Sequence, residues 1–241
     1  MSVFSDQLIS ETCKAARSLW TSRDGQVVPD TNSVKLGNDR IEMEAVMLYA
    51  DLADSTELAI KSQQIASEVF KSYLSGVTRI IKLNGGEVRS FDGDRVMGVF
   101  IGDRKNTDAA ITGLQINWFF KYALETELRK FYAQESLSNI VFNHTVGIDR
   151  SPIYVSRAGV RNDNDLIWVG RAPNIAAKLR SIRHEAYNTL ITESVYSALL
   201  DSAKLYRMNG NDMWTELSWP GGAGYGVPKV YGSNWWWKPG A

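Results

Sequence analysis

The sequence lacks most of the features that mark secreted, membrane or nucleic-acid-binding proteins. Cys13 is the only cysteine among 241 residues, which excludes an internal disulfide framework and a cysteine-rich zinc site. The chain has no run of about 18 apolar residues, and its N-terminus lacks a basic segment followed by an apolar core. The 27 basic residues balance the 27 acidic ones, so nothing indicates a nucleic-acid or membrane partner. We therefore expect a cytoplasmic protein.

The first informative motif is an apolar segment that ends in acidic and hydroxyl residues. Residues 45–48 are typical of a buried strand, and Asp51 follows them. Asp54, Ser55 and Thr56 are residue types that favour the start of a helix. A carboxylate between a strand end and a helix can hold a divalent cation beside a phosphate chain. Taken alone, however, the pattern is more often explained by helix capping.

The second motif is a predicted hairpin with two further aspartates at its turn. Residues 87–100 have the pattern of two short strands that meet at Asp92-Gly93, which is a strong turn signal. Asp92 and Asp94 can be explained as turn residues. If the hairpin lies beside the first strand, however, Asp51 and Asp94 can hold two metal ions between them, as in many phosphoryl-transfer sites.

The third motif is a strand that runs into a helix over residues 168–179. Asn174 and Lys178 lie one helical turn apart on the same face. Together, the three motifs resemble the catalytic domain of class III nucleotide cyclases in order and spacing, over roughly residues 41–200. Members of that family carry a Phe-Ala-Asp strand, a Gly-Asp hairpin and a Gly-x-x-x-Asn-x-Ala-x-Arg junction.

The segments between the motifs predict the fold. Their order of strand, helix, strand, strand, helix, strand is that of a ferredoxin-like α+β core, which class III cyclases share. The resemblance implies a central, mainly antiparallel sheet flanked by helices. The expected long helices cover residues 55–83 and 107–134, and a second hairpin is expected over residues 139–160.

Three regions are expected along the chain. Residues 1–40 predict an amphipathic helix followed by an irregular connection rich in Gly, Asn, Asp, Ser and Thr. Residues 41–232 are predicted to form the nucleotide cyclase domain, and residues 233–241 a C-terminal tail.

The resemblance implies a reaction and the residues that hold its metals. A class III cyclase joins the 3′-oxygen of a nucleoside triphosphate to its α-phosphorus and releases pyrophosphate. Two divalent cations per site, Mg²⁺ or Mn²⁺, assist this transfer. By resemblance, Asp51 and Asp94 hold both cations, and the backbone carbonyl of Leu52 adds a ligand. Ser55 and Thr56 then contact the substrate phosphates.

The same resemblance assigns the remaining catalytic roles to the third motif. Asn174 matches the residue that orients the ribose. Lys178 stands where most members carry an arginine that stabilises the transferring phosphate, and lysine lacks the bidentate fork of arginine. Arg171 or Arg180 can supply that fork instead.

The base pocket departs from the purine cyclases. Ser90 replaces the lysine with which adenylate cyclases contact the base, and Ile167 replaces the aspartate that accompanies it. Strand alternation places Tyr49 on the face that carries Asp51, so Tyr49 and Ser90 can line a pocket for a smaller base. A core position is an equally good explanation of Tyr49.

The run Arg-Ser-Phe-Asp-Gly-Asp, residues 89–94, resembles a motif of the pyrimidine cyclases of bacterial Pycsar antiphage systems. Those enzymes make cyclic UMP or cyclic CMP, which activates a separate effector protein. The resemblance implies UTP as the substrate and CTP as the first alternative. An adenylate cyclase with an unusual base pocket and an inactive nucleotide-binding module remain open.

Class III cyclases place their sites between two subunits. The metal-binding aspartates come from one chain, and the asparagine and the basic residue come from the other. Because this chain carries one copy of each motif, the resemblance implies a homodimer with two composite sites.

Overall fold

The computed structural model describes residues 2–132, 143–179, 182 and 187–240. It confirms an α+β fold with a mainly antiparallel sheet. The chain divides into two compact units. The smaller unit comprises residues 1–44 and 152–170, and the larger unit comprises residues 45–151 and 171–241.

Two strands, β2 and β5, continue from one unit into the other, and the remaining strands each belong to one unit. The strands are β1 Thr21–Asp24, β2 Asp39–Ala53, β3 Glu87–Asp92, β4 Arg95–Phe100, β5 Asn143–Val160, β6 Asp163–Gly170, β7 Thr189–Thr192, β8 Thr215–Ser218 and β9 Lys229–Ser233.

The helices vary widely in length, and a π-helical turn, Phe119–Leu124, joins two of them. The helices are α1 Val3–Arg17, α2 Ser55–Lys61, α3 Gln63–Leu83, α4 Lys105–Trp118, α5 Glu125–Phe131, α6 Arg171–Leu179, α7 Glu193–Tyr196 and α8 Asp201–Lys204.

The larger unit is organised around strands in the order β3-β4-β2-β5-β7-β9-β8. Apolar residues at alternate positions of β2 are buried in one core with the apolar stripe of α3. These residues include Leu48 and Ala50 on the strand and Val69 and Val77 on the helix. Because side chains alternate along a strand, Tyr49 and Asp51 point to the opposite face of the sheet.

The helix predicted over residues 55–83 is interrupted at Ser62. Its backbone is extended, with φ −158° and ψ 106°, and its hydroxyl accepts a hydrogen bond from the Ile65 N–H at 3.3 Å. Ser62 therefore ends α2 and caps α3. Neither proline nor glycine marks this break, which explains why the sequence pattern reads as one helix.

The hairpin predicted over residues 139–160 is wrong in its described part. Residues 143–160 form the single strand β5, and β5 pairs in antiparallel register with β6. The turn comes later, where Asn162 has a φ of 76°. Pro152 lies within β5, and a proline is tolerated where its missing N–H is not needed by a neighbouring strand. Residues 139–142 lie outside the described part.

The smaller unit contains more regular structure than the irregular connection predicted for residues 21–40. Strand β1 runs parallel to the start of β2, with Thr21 opposite Asp39. The Arg23 guanidinium donates to both oxygens of the buried Asp39 carboxylate, at 2.9 and 3.0 Å. Burial acts to raise the pKa of Asp39, but the hydrogen bonds from Lys35 and Arg23 and their positive charges leave it below the ordinary value.

The N-terminal helix of the smaller unit is amphipathic, as predicted, but it buries no residue. Its apolar positions Val3, Phe4, Leu8 and Ile9 are exposed, and so is Cys13. Over the described ranges, no helix is both long enough and apolar enough to cross a membrane.

Candidate active site

The predicted strand–turn–helix motif forms the wall of a cavity. Strand β2 ends at Ala53, Asp54 turns the chain in the left-handed conformation at φ 58°, and α2 begins at Ser55. Asp54 occupies the N-cap position, but its side chain makes no capping hydrogen bond. Aspartate is one of the few residue types that tolerate this backbone conformation, so it permits a tight turn.

The cavity has a volume of about 630 Å³ and brings together the residues predicted to bind metal and phosphate. Those residues are Asp51, Leu52, Ser55, Thr56 and Asp94.

The two aspartates reach this cavity from neighbouring strands. In the antiparallel pair β2–β4, Ala50 lies opposite Val96, so Asp51 and Asp94 lie just beyond this pair at the same end. Gly93 makes the tight turn before Asp94 with a φ of 62°, which glycine adopts without strain. The hairpin predicted at Asp92-Gly93 is therefore confirmed.

The buried phenol of Tyr73 interacts electrostatically with both Asp51 and Asp94. Burial raises the pKa of Tyr73 well above its ordinary value, and the negative charges of Asp51 and Asp94 raise it further. The two carboxylates therefore lie close enough to act on the same group.

The site fits a divalent cation. Asp51 is 7% exposed, and Oδ2 of Asp94 is buried without a hydrogen-bond partner in the described part of the chain. Carboxylate and carbonyl oxygens are the ligands that Mg²⁺ prefers. The described residues contain no group of three or more His, Cys, Asp or Glu side chains arranged to hold a metal. Asp54 and Glu57 also line the cavity, beside the two aspartates that were predicted to bind metal.

Arg95 also lines the cavity, and the sequence analysis did not identify it. Its guanidinium lies 3.6 Å from the Asp92 carboxylate, and its Nε is buried without a hydrogen-bond partner in the described ranges. Its position immediately after Asp94 is the sequence feature that could have identified it. It brings a positive charge to a cavity that is otherwise acidic.

Tyr49 and Ser90, which are predicted to contact the base, lie at paired positions of the sheet outside the cavity of Asp51. Tyr49 pairs with Met97, and Met97 pairs with Ser90 on β3. A register shift between Val88 and Ser90 produces this alignment. The Tyr49 hydroxyl contacts the Met97 sulfur at 3.0 Å, and neither Tyr49 nor Ser90 lines the cavity of Asp51.

The predicted ribose and phosphate residues lie on α6 and do not line that cavity. Asn174 and Lys178 share the exposed face of the helix, while Ile175 and Leu179 are buried on the other face. The Lys178 ammonium lies 4.9 Å from the centroid of the Tyr225 ring. Ile167 belongs to β6 of the smaller unit and is 44% exposed.

Arg171, one of the two predicted substitutes for the missing arginine, holds the start of α6 instead. Its Nη2 donates to Asp149 Oδ1 at 3.0 Å, to the Arg150 carbonyl at 2.8 Å and to the Ser194 hydroxyl at 3.2 Å. Arg180, the other predicted substitute, lies outside the described residues.

Asp149, the partner of Arg171, is a buried carboxylate that the sequence analysis missed. Its side chain is fully buried, and Oδ1 also accepts a hydrogen bond from the Thr192 hydroxyl at 2.6 Å. Burial raises the pKa of Asp149, although the Thr192 hydrogen bond and the Arg171 charge oppose the rise. Asp149 and Arg171 are 22 positions apart in sequence, and no local pattern links them.

Curated relatives are similar to this chain over most of its length. A uridylate cyclase from Xanthomonas perforans is 40% identical over 221 residues, which are 91% of this chain and 91% of the relative. A uridylate cyclase from Rhodovulum sp. (strain MB263) is 33% identical over 237 residues, which are 98% of each chain. No protein-family model matches the sequence.

Solved structures resemble the fold at lower identity. The adenylyl cyclase CyaB from P. aeruginosa aligns with a TM-score of 0.62 at 19% identity, over 80% of this chain and 95% of that one. The guanylyl cyclase Cya2 aligns with a TM-score of 0.57 at 16% identity, over 83% of this chain and 95% of that one. These alignments confirm the predicted class III cyclase fold.

Proposed function

The chain belongs to the uridylate cyclase family and is a nucleotide cyclase of the class III fold; we propose that it converts UTP into 3′,5′-cyclic UMP and pyrophosphate. The observation that supports this proposal most directly is the cavity that joins Asp51, Leu52 and Asp94 to Ser55 and Thr56. A nucleoside triphosphate requires a metal-binding acidic group beside a place for its phosphates, and this cavity offers both.

Each predicted residue that lines the cavity has a proposed task. Asp51, Asp94 and the Leu52 carbonyl hold two divalent cations, Mg²⁺ or Mn²⁺, which would activate the 3′-hydroxyl and neutralise the leaving pyrophosphate. Ser55 and Thr56 contact the triphosphate.

Arg95 adds a positive charge beside the triphosphate, where it offsets the negative charge of the phosphates. These groups act mainly by positioning the substrate and by matching its charge.

Asn174 and Lys178 complete the site from a second copy of the chain. The proposal is supported by their position, because they lie exposed on α6 and do not line the cavity of Asp51. In a homodimer, the cavity of one chain receives α6 of the other, so that Asn174 orients the ribose and Lys178 neutralises the transferring phosphate. Neither a monomer nor a chain without α6 would cyclise UTP.

The choice of uracil is supported by the relatives and by the residues that replace the purine readers. Tyr49, Ser90 and Ile167 are each proposed to contact the base, and none of them offers the charged contacts of the purine enzymes. UTP is favoured over CTP because the curated relatives are uridylate cyclases. We further propose that cyclic UMP activates a separate effector in antiphage defence, which the run at residues 89–94 supports.

The substrate is tested with purified protein, Mn²⁺ and each of ATP, GTP, CTP and UTP separately, with products identified by mass. Cyclic UMP as the main product is the expected result. Cyclic CMP or a cyclic purine nucleotide as the main product would contradict the proposed base recognition but keep the cyclase assignment. No product from any nucleotide would contradict the proposed reaction.

The composite site is tested by mixing two inactive variants. Asp51→Ala lacks the metal site, and Asn174→Ala lacks the ribose contact, so a heterodimer of the two contains one intact site. If subunits exchange at random, about half of the dimers are heterodimers, and about a quarter of wild-type activity returns. No return of activity after confirmed exchange would contradict the two-chain site.

A further inference from the structure

The start of α6 is tied to the sheet by several polar contacts, although Nε of Arg171 and Oδ2 of Asp149 have no hydrogen-bond partner among the described residues. Arg171, the first residue of the helix, donates to Asp149 Oδ1 and to the Arg150 carbonyl on β5. The Ala172 N–H donates to the Ser151 hydroxyl at 2.9 Å. Both residues of the first half-turn are therefore held by the same short stretch of β5.

The contacts extend to the beginning of α7. The Ser194 hydroxyl lies 3.2 Å from Nη2 of Arg171 and 3.4 Å from Oδ1 of Asp149. The Thr192 hydroxyl donates to the same oxygen of Asp149 and lies 2.9 Å from the Ser194 hydroxyl. Asp149 Oδ1 is thus the common acceptor of a guanidinium and two hydroxyl groups.

Burial of the Asp149 carboxylate at the start of α6 is unfavourable in itself. Transfer of a carboxylate from water to the protein interior is unfavourable, and an apolar pair of similar size can replace a buried ion pair without loss of stability. The contacts do offer direction, because Nη2 of Arg171 lies within hydrogen-bond distance of three acceptors, which belong to β5 and α7. Their geometry therefore suits a helix whose orientation matters.

The orientation of α6 matters because its exposed face carries Asn174 and Lys178. The buried face, which includes Ile175 and Leu179, holds the helix against the larger unit by apolar contact. Such contact is not directional and permits small rotations and shifts. The polar contacts at Arg171 remove that freedom one turn before Asn174.

We propose that Asp149 and Arg171 are positioning residues for the cyclase reaction, which set the orientation in which α6 presents Asn174 and Lys178 to the substrate. This inference rests on the proposed function, in which those two residues complete the site of a partner chain. Asp149 and Arg171 touch neither substrate nor metal. They act only through the helix.

Two conservative variants test the assignment. Asp149→Asn keeps the shape of the side chain and removes its charge, and Arg171→Lys keeps the charge and removes the guanidinium nitrogen that makes the three contacts. A displacement of about 1 Å at reacting groups costs up to about 100-fold in rate. We expect kcat to fall about 10- to 100-fold in both variants, while KM for UTP changes less than about threefold because the phosphate and metal contacts stay intact.

Subunit mixing separates positioning from a general loss of structure. Asp149→Asn mixed with Asp51→Ala should regain activity, because the heterodimer contains one site with intact aspartates and an intact α6. Asp149→Asn mixed with Asn174→Ala should regain none, because every site then has a damaged α6. Asp149 would thereby behave as a member of the Asn174 half-site.

A matched control is available in the smaller unit. Asp39 is also buried and paired with an arginine, Arg23, at 2.9 Å. Asp39→Asn should lower the midpoint of unfolding but leave kcat within about twofold of wild type, since the proposal gives Asp39 no task in positioning α6.

Several outcomes would overturn the inference. Wild-type kcat in both Asp149→Asn and Arg171→Lys would do so, and so would equal loss of kcat in Asp39→Asn. Failure of Asp51→Ala to rescue Asp149→Asn, while it rescues Asn174→Ala, would show that Asp149 acts on the whole fold. If Asp51→Ala and Asn174→Ala do not complement each other, the two-chain site fails first, and this inference fails with it.

Discussion

Two groups of aspartates in the larger unit have different surroundings. Asp149 is enclosed by donors, because Arg171 and the hydroxyls of Thr192 and Ser194 all lie within hydrogen-bond reach of Oδ1. Asp94 lines the cavity at the same end of the sheet as Asp51, and its buried Oδ2 has no hydrogen-bond partner among the described residues. Oδ2 of Asp149 also lacks such a partner, so the contrast lies in Oδ1 of Asp149, which accepts from a guanidinium. An arginine of the chain compensates the charge of Asp149, whereas Asp51 and Asp94 line a cavity that can admit a cation.

The difference distinguishes a carboxylate that stabilises the fold from carboxylates that line the proposed metal site. A buried carboxylate is stable only if something compensates its lost hydration. Where the chain itself supplies an arginine, the carboxylate stabilises the fold. Where two carboxylates converge on a cavity, the fold carries an electrostatic cost that a bound metal removes. The two groups should therefore respond differently to substitution.

The largest expected effect is on activity at the cavity. Asp51→Asn or Asp94→Asn should lower the cyclisation rate on the order of 10³-fold or more, because the metals lose a charged ligand. The thermal midpoint without metal should stay the same or rise, because repulsion between the carboxylates is relieved. Initial rates and thermal unfolding in a chelator measure both effects. A rate near wild type, or a clear loss of stability, would break the comparison.

The second-largest expected effect is a loss of stability when Asp149 is replaced. Asp149→Ala removes the partner of Arg171, which is partly exposed and can be hydrated, so the expected loss is about 2 kcal/mol. Asp94→Ala should change the free energy of unfolding by less than about 0.5 kcal/mol. Chemical denaturation of both variants without metal gives the difference. Equal losses would show that the two groups are not distinct.

A buried base extends the comparison to a group whose pKa is shifted by burial alone among the described residues. Burial lowers the pKa of His144 to about 3, and its ring lies 4.6 Å from that of Phe120. Since the unfolded chain binds this proton near pH 6.5, stability should fall as the pH drops from about 6.5 towards 3. The slope from His144 is at most about 1.4 kcal/mol per pH unit.

His144→Phe keeps an aromatic ring beside Phe120 and removes the titrating group. Its stability should fall less steeply than that of the wild type over the same pH window, although carboxylates titrate in both proteins. Denaturation midpoints at pH 7, 6, 5 and 4 give the two slopes. Parallel slopes would contradict a buried neutral histidine.

The smallest expected effect concerns Tyr73. Its hydroxyl is buried without a hydrogen-bond partner in the described ranges, and its raised pKa keeps it neutral. Tyr73→Phe should stabilise the protein by up to about 1 kcal/mol, because an unsatisfied polar group is removed. Urea midpoints measure the gain. A loss of stability or of Mn²⁺ affinity would instead assign the hydroxyl to the acidic site.

Sequence reasoning located the acidic cavity because its residues follow local rules. Asp51 follows an apolar strand, and Asp94 follows a glycine turn, so both positions can be read from neighbouring residues. Strand adjacency was the one assumption that was needed, and the β2–β4 pairing confirms it.

The parts that sequence reasoning missed depend on contacts between distant residues or on small irregularities. Asp149 and Arg171 come together only in the folded chain, and no local sequence pattern near either residue predicts their contact. The break at Ser62 occurs at a residue that also suits a helix interior. The register shift next to Ser90 is a property of the pairing between β3 and β4, so the pattern of β3 alone cannot show it.

The exposed thiol of Cys13 has a practical consequence. Because the chain contains no second cysteine, a maleimide dye attaches at one defined position on α1 without any substitution. Donor-labelled Asp51→Ala and acceptor-labelled Asn174→Ala protein would report the formation of mixed dimers by energy transfer. Catalytic recovery could then be plotted against the measured fraction of mixed dimers, which turns complementation into a quantitative titration.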